Sequence, residues 1–180
     1  FSFSGRLAVP LNRKRIDGPL CRFDTHSLRE GMHALYALVK SRDEERAGEL
    51  AEACIATLLE LWTPRGGWDI DRCRDKYGLE PEELTLMSGL ARILGPLVKY
   101  FRVTQSVAAL ELALMLKETV LAEAFVADGH YDRQVHGTHT HSTTRVMSSL
   151  AQLAELTCDA ALLQRSRRFT STACRSLATR

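Results

Sequence analysis

The chain has 180 residues, 45% of them hydrophobic and 26% charged, which is the make-up of a globular chain rather than a disordered, collagen-like or low-complexity one. No apolar run approaches the ~20 residues of a membrane span, and residues 1–20 lack the apolar middle of a signal peptide. The net charge of +2 divides into +4 over residues 1–22, +5 over 165–180 and −7 between them, so an acidic body speaks against a nucleic-acid-binding domain.

An irregular segment with Pro10, Gly18 and Pro19 opens the chain, and an extended piece at 1–11 is its main strand signal. Ser27-Leu28-Arg29-Glu30 has the pattern of a capping box, followed at helical spacing by Met32, Leu35, Tyr36 and Val39. Asp43 is placed to cap a second helix whose stripe is Leu50, Cys54, Ile55, Leu58, Leu59 and Trp62. Pro64 and Gly66-Gly67 end that helix, and Trp68-Asp69-Ile70-Asp71 falls in the loop beyond. Pro81 suits the first turn of a third helix running to Phe101, interrupted at Gly95-Pro96. Thr104 is placed to cap a fourth helix reaching about Phe125, which Asp128-Gly129 breaks. A polar loop at 130–142 precedes a fifth helix from about Thr143 to Leu156, and Asp159 can cap a sixth that fades near Phe169. The chain reads as all-α.

Landmarks recur in order along it. Leu38-Val39-Lys40 returns as Leu97-Val98-Lys99, Glu49-Leu50-Ala51 as Glu111-Leu112-Ala113, and the Trp68-Asp69 pair as Tyr131-Asp132, at offsets of 59, 62 and 63. Such αα-hairpins bury their apolar faces only against neighbours, so the expected architecture is a stack or a closed ring of hairpins. The organisation expected is an irregular segment 1–26, a hairpin array 27–165 and a basic tail 166–180. Five scattered cysteines without a C-x-x-C pair fit neither a zinc ribbon nor a redox motif, and a reducing, cytoplasmic compartment is expected.

Two polar groupings carry potential chemistry. His136, His139 and His141, with His130 upstream, could together ligate zinc, but no cysteine or carboxylate inside the run completes a site, so a hydrogen-bonding surface is the preferred reading and no metal or other cofactor is expected. If corresponding loops share one rim, Trp68, Asp69, Asp71 and Arg72 come near Tyr131, Asp132, Arg133, His139 and His141. Aromatic rings with carboxylates between them have the composition of a sugar site, and paired carboxylates are what glycoside hydrolysis needs. A structural role ranks first for four of these: Asp69 and Asp132 suit turns or caps, and Trp68 and Tyr131 suit plugs at hairpin ends.

Arg29-Glu30-Gly31, Gly67-Trp68-Asp69, Ser88-Gly89-Leu90-Ala91-Arg92, His139-Thr140-His141-Ser142 before Met147-Ser148-Ser149-Leu150, and Ala154-Glu155-Leu156-Thr157-Cys158-Asp159 together resemble the six-hairpin glycosidase-like superfamily of α/α toroids. The likeness covers roughly residues 27–165 and is strongest to uncharacterised bacterial proteins near β-L-arabinofuranosidase-type domains. It implies six or seven hairpins around a cavity, of which this chain supplies two and the start of a third: a fragment of an incomplete ring. It implies that His139 and His141 face that cavity. Where such proteins commonly read Thr-Gly-Asp, this chain has Cys158 in place of the glycine.

The resulting expectation is a carbohydrate-active, glycoside hydrolase-like toroid fragment. Asp69, Asp71 or Asp132 would serve as acid and base, with Arg72, Arg133, His139 and His141 on the sugar's polar groups and Trp68 and Tyr131 as stacking platforms. Its partner is a carbohydrate, with neither nucleic acid nor membrane. A non-catalytic hairpin scaffold for protein–protein contact and a zinc-dependent toroid are the alternatives.

Overall fold

The structure is a computed structural model describing residues 2–3, 10–13, 17, 20–23, 25–63, 67–77, 80–81, 89–125, 131, 133–136 and 140–178. The described chain is mostly helical. Three short strands, β1 (Ser2–Phe3), β2 (Pro10–Arg13) and β3 (Leu20–Phe23), precede helices α1 (Thr25–Arg42) and α2 (Glu45–Leu61). Strands β4 (Trp62–Thr63) and β5 (Gly67–Trp68), helix α3 (Ile70–Tyr77) and strand β6 (Glu80–Pro81) come next. A 3-10 turn, Leu90–Ile93, leads into α4 (Leu94–Thr104) and α5 (Val107–Glu123). The one-turn helix α6 (Arg133–His136) precedes α7 (Thr140–Leu156) and α8 (Ala160–Ala178).

The strands correct the sequence reading in one region. β1, β2 and β3 run antiparallel, and β6 adds to β3 in parallel, with Phe23 opposite Pro81. Pro81 therefore stands in a strand rather than in the first turn of a helix, and the first helical residues described after it are Leu90–Ile93. A proline tolerates this place because it ends a two-residue strand and need donate no ladder hydrogen bond.

Helices pair as hairpins, α1 with α2, α4 with α5, and α7 with α8. The first members also pack on one another, α1 on α4 and α4 on α7, while α2 packs on α5. Arg165 of α8 donates to the Leu121 and Phe125 carbonyls at the end of α5, and the Phe169 ring meets Phe125 edge-on at 4.9 Å. Two layers result: α1, α4 and α7 in one, and α2, α5 and α8 in the other. Small residues let the second layer close, since Ala51 and Ala113, equivalent in the sequence pattern, are both fully buried. The stripe read from α2 is core, with Cys54, Ile55 and Leu58 fully buried and Trp62 nearly so.

Each hairpin turns in the same way. Asp43, Gln105 and Cys158 follow α1, α4 and α7 in the left-handed conformation, at φ 51°, 59° and 55°. The Asp43 amide donates to the Val39 carbonyl and that of Gln105 to Phe101; at Cys158 the pair Asp159 N–H to Ala154 and Cys158 N–H to Glu155 completes a Schellman closure. None of the three is glycine, so each carries the steric cost of that conformation. Asp43 thus terminates α1 instead of capping α2; the N-cap of α2 is Glu44, whose side chain makes no capping bond. Thr104 likewise is the last residue of α4, and the cap of α5 is Ser106, whose Oγ accepts from the Ala109 amide. Asp159 does cap α8, its Oδ1 accepting from Leu162 N–H at 2.9 Å. That helix continues past Phe169 to Ala178, so residues 166–178 of the expected tail are helical. At the other end, α1 begins at Thr25 and takes Ser27 inside its first turn.

Candidate functional site

Because the hairpin turns lie at one end, the starts of α1, α4 and α7 and the ends of α2 and α5 lie at the other. The described site candidates from the sequence, Trp68, Asp69, Asp71, Arg72, Tyr131, Arg133 and His141, belong to that second end, the rim.

At the end of α2, β4 and β5 pair Trp62 with Trp68, and the two rings meet edge to face at 5.0 Å. Asp69 opens α3: its Oδ1 accepts from the Arg72 amide at 3.0 Å, and its Oδ2 stands 3.5 Å from Arg72 Nε. Arg72 also donates through an Nη atom to the Glu60 carbonyl at 3.1 Å, which covers the C-terminus of α2. Lys76 reaches the Glu60 carboxylate at 2.5 Å. Asp71 is exposed in the first turn of α3, where a carboxylate is favoured by the helix dipole. Trp68, Asp69 and Arg72 thus close the end of the first hairpin.

The second hairpin repeats the aromatic part. Phe125 and Tyr131 pack at 5.6 Å between centroids, and both rings follow Trp62 and Trp68 by 63 positions. The Tyr131 hydroxyl accepts from Thr143 at 3.2 Å, tying the loop to α7. Arg133 opens α6. His141 is helical, exposed in the first turn of α7 rather than in the expected polar loop, and its Nε2 accepts from Arg145 Nε at 3.3 Å. Asp132 and His139 lie outside the described residues, as does His130.

Between these two ends in packing order stand the starts of α1 and α4, and they hold a further polar grouping. Arg29 and Arg92 are buried, at 7% and 5% exposure, and both guanidinium groups address Oε1 of Glu30, Arg29 directly and Arg92 Nη2 from 3.7 Å. Glu30 itself is open to solvent, its side chain 60% exposed. His33 lies one turn along α1; burial first, then the charges of Arg29, Lys99 and Arg145, against the opposing pull of Glu30, lower its pKa to about 4. It is therefore neutral at pH 7. Burial, Arg29 and Arg145 depress Arg92 in the same way, with Glu30 opposing. The sequence signals for this grouping are the presence of Arg29, Glu30 and Arg92 in two of the motifs quoted above, and the four-residue spacings Arg29/His33 and His141/Arg145, each of which sets two side chains on one helix face.

Among the described residues no three His, Cys, Asp or Glu side chains converge as a metal site, and no helix is long and apolar enough to cross a membrane. No protein-family model, curated protein or solved structure matches the chain.

Proposed function

We propose that the chain is part of a carbohydrate-active protein of the α/α-toroid type, glycoside hydrolase-like, that binds a sugar at the rim where the hairpin-end loops gather. One observation carries the reading. Arg29-Glu30-Gly31, Gly67-Trp68-Asp69, Gly89 to Arg92 and His141-Ser142 come from four distant stretches, and all lie at the same end of the packed hairpins, the 3-10 turn at Leu90–Ile93 packing on both α1 and α7. In this reading Trp68, Asp69, Arg72 and Tyr131 shape the rim by closing hairpin ends. Asp71 and Asp132 remain to serve as acid and base, and Arg133, His139 and His141 to hold hydroxyl groups. A glycan array on the chain, followed by Asp71→Ala, Asp132→Ala and His141→Ala, tests it. Absence of any bound sugar, or binding that survives all three changes, overturns the sugar site.

A second reading, a non-catalytic hairpin scaffold, draws on the exposed valines beside the second turn, Val103 at 41% and Val107 at 76%. It gains if the array is blank while the folded chain self-associates or is captured through Val107.

A further inference from the structure

We infer that the rim takes an oxyanion, the carboxylate or phosphate group of an acidic sugar, between the guanidinium groups of Arg29 and Arg92, with Arg145 adding its charge from beside His141 on α7. Burying one guanidinium is costly, and two on neighbouring elements also repel each other. Here Arg29 and Arg92 are both buried and both directed at one carboxylate oxygen of Glu30. A guanidinium offers five N–H donors in a planar fork, so two forks meeting at one oxygen have the geometry to share a second, larger oxyanion. Arg145 adds a third positive charge from α7, and Lys99 a fourth that reaches His33 from α4.

The helices add to the same field. α1, α4 and α7 all begin at this end, and none has an acidic residue in its first turn. Helix starts carry partial positive charge and ordinarily attract Asp or Glu. Three of them stand side by side without that acid, and an incoming anion can supply the missing negative charge. The solvent-exposed Glu30 marks the entrance, where an anion can displace it from the two forks. His33, neutral at working pH, supplies an imidazole that can bond a hydroxyl on the same ligand. The compact, half-buried arrangement suits a small anion rather than a long polyanion, whose phosphates need an exposed basic track.

The sugar half of this ligand rests on the function proposed above; the oxyanion half does not. Calorimetric titration of the full chain in oxyanion-free buffer with glucuronate, glucose 6-phosphate, inorganic phosphate and neutral glucose separates them. We expect one of the two acidic sugars to bind at least about tenfold more tightly than glucose, with the winner naming carboxylate or phosphate as the group. Arg145→Ala, at an exposed position, is expected to weaken that binding about tenfold while thermal unfolding is unchanged. Arg92→Lys, which keeps the charge and loses the fork, should weaken it too. Phosphate bound as tightly as glucose 6-phosphate, with glucuronate silent, upholds the oxyanion site and removes the sugar. Glucose bound as tightly as the acidic sugars, binding unmoved by both variants, or no binding by any of the four probes overturns the oxyanion site.

Discussion

Helices α4 and α7 pack tightly at Gly95, and this gives a quantitative test of the layer formed by the first members of the hairpins. A methyl group added at Gly95 would lie 2.7 Å from Ser149 Oγ and 3.7 Å from Ser149 Cβ. The first distance is impossible for real atoms, whereas the second is ordinary contact. Ser149 is buried, and its hydroxyl donates to the Arg145 carbonyl at 2.8 Å, so relief by rotating the side chain gives that bond up. Overpacking of this kind costs about 1–3 kcal/mol, and alanine in place of glycine returns about 0.4–1 kcal/mol by restricting the unfolded chain. Gly95→Ala alone should therefore destabilise by about 1–2 kcal/mol, some 2–8 °C in melting temperature for a chain this long. In a Ser149→Ala background the clash is gone, and the same change should be neutral or stabilise by up to about 1 kcal/mol. The four-variant cycle, read by urea unfolding, should give a coupling of about 2 kcal/mol. Equal destabilisation in both backgrounds would refute the α4–α7 packing from which the rim is built.

Three further outcomes follow from the helix ends and the half-buried histidine. Replacing Gln105 or Cys158 by glycine should stabilise by about 0.5–1 kcal/mol each in denaturant melts, because φ near +60° costs glycine nothing. Ser106→Ala removes the cap of α5 and a 3.0 Å bond to the Glu52 carboxylate, and should cost about 1–2 kcal/mol by the same measurement. His33 has a folded pKa of about 4, below its ordinary 6.5, so as the pH falls the unfolded chain takes the proton first. Its contribution is whole above pH 6.5 and disappears towards pH 4; allowing for solvent screening of a half-buried group, about 1–2 kcal/mol is at stake. A pH series of urea melts should show that loss in the native chain and lack it in His33→Gln.

The helices were legible because their signals are local. The stripe Cys54, Ile55 and Leu58 and the cap at Asp159 lie within a few residues of what they explain, and the structure keeps both. The aromatic correspondence of Trp68 with Tyr131 was also legible, though only the fold shows that each ring packs on a partner, Trp62 and Phe125, at the end of the preceding helix. What escaped was non-local or disguised. Pairing of Leu20–Phe23 with Glu80–Pro81 joins short segments separated by a whole helical hairpin, and neither has the length or alternation of a strand signal. The turns at Asp43, Gln105 and Cys158 use residues that do not announce a left-handed conformation, so Asp43 passed for a cap. The cation grouping draws Arg29, Arg92 and Arg145 from three helical segments, and no window of sequence holds more than one of them.

The two ends of the hairpins differ in what they are built for, and the difference can be tested by asking whether stability and binding separate. At the turn end the chain reverses within two or three residues, closed by backbone bonds such as Gln105 to Phe101 and Asp159 to Ala154. At the rim the chain makes its long connections, 62–89 and 124–139, and there the arginines and the imidazole of His33 are gathered. Long connections on a rigid scaffold are where binding groups are usually carried. Gln105→Gly and Arg145→Ala lie at opposite ends and share no partner, so their effects should add. Gln105→Gly should raise stability and leave the affinity for the acidic sugar unchanged, and Arg145→Ala should lower affinity with stability unchanged. The double variant should show both shifts undiminished, in unfolding and in titration alike. A loss of affinity in Gln105→Gly would mean that the turn sets the spacing of the guanidinium groups through α4, and the division between a folding end and a binding end would fall.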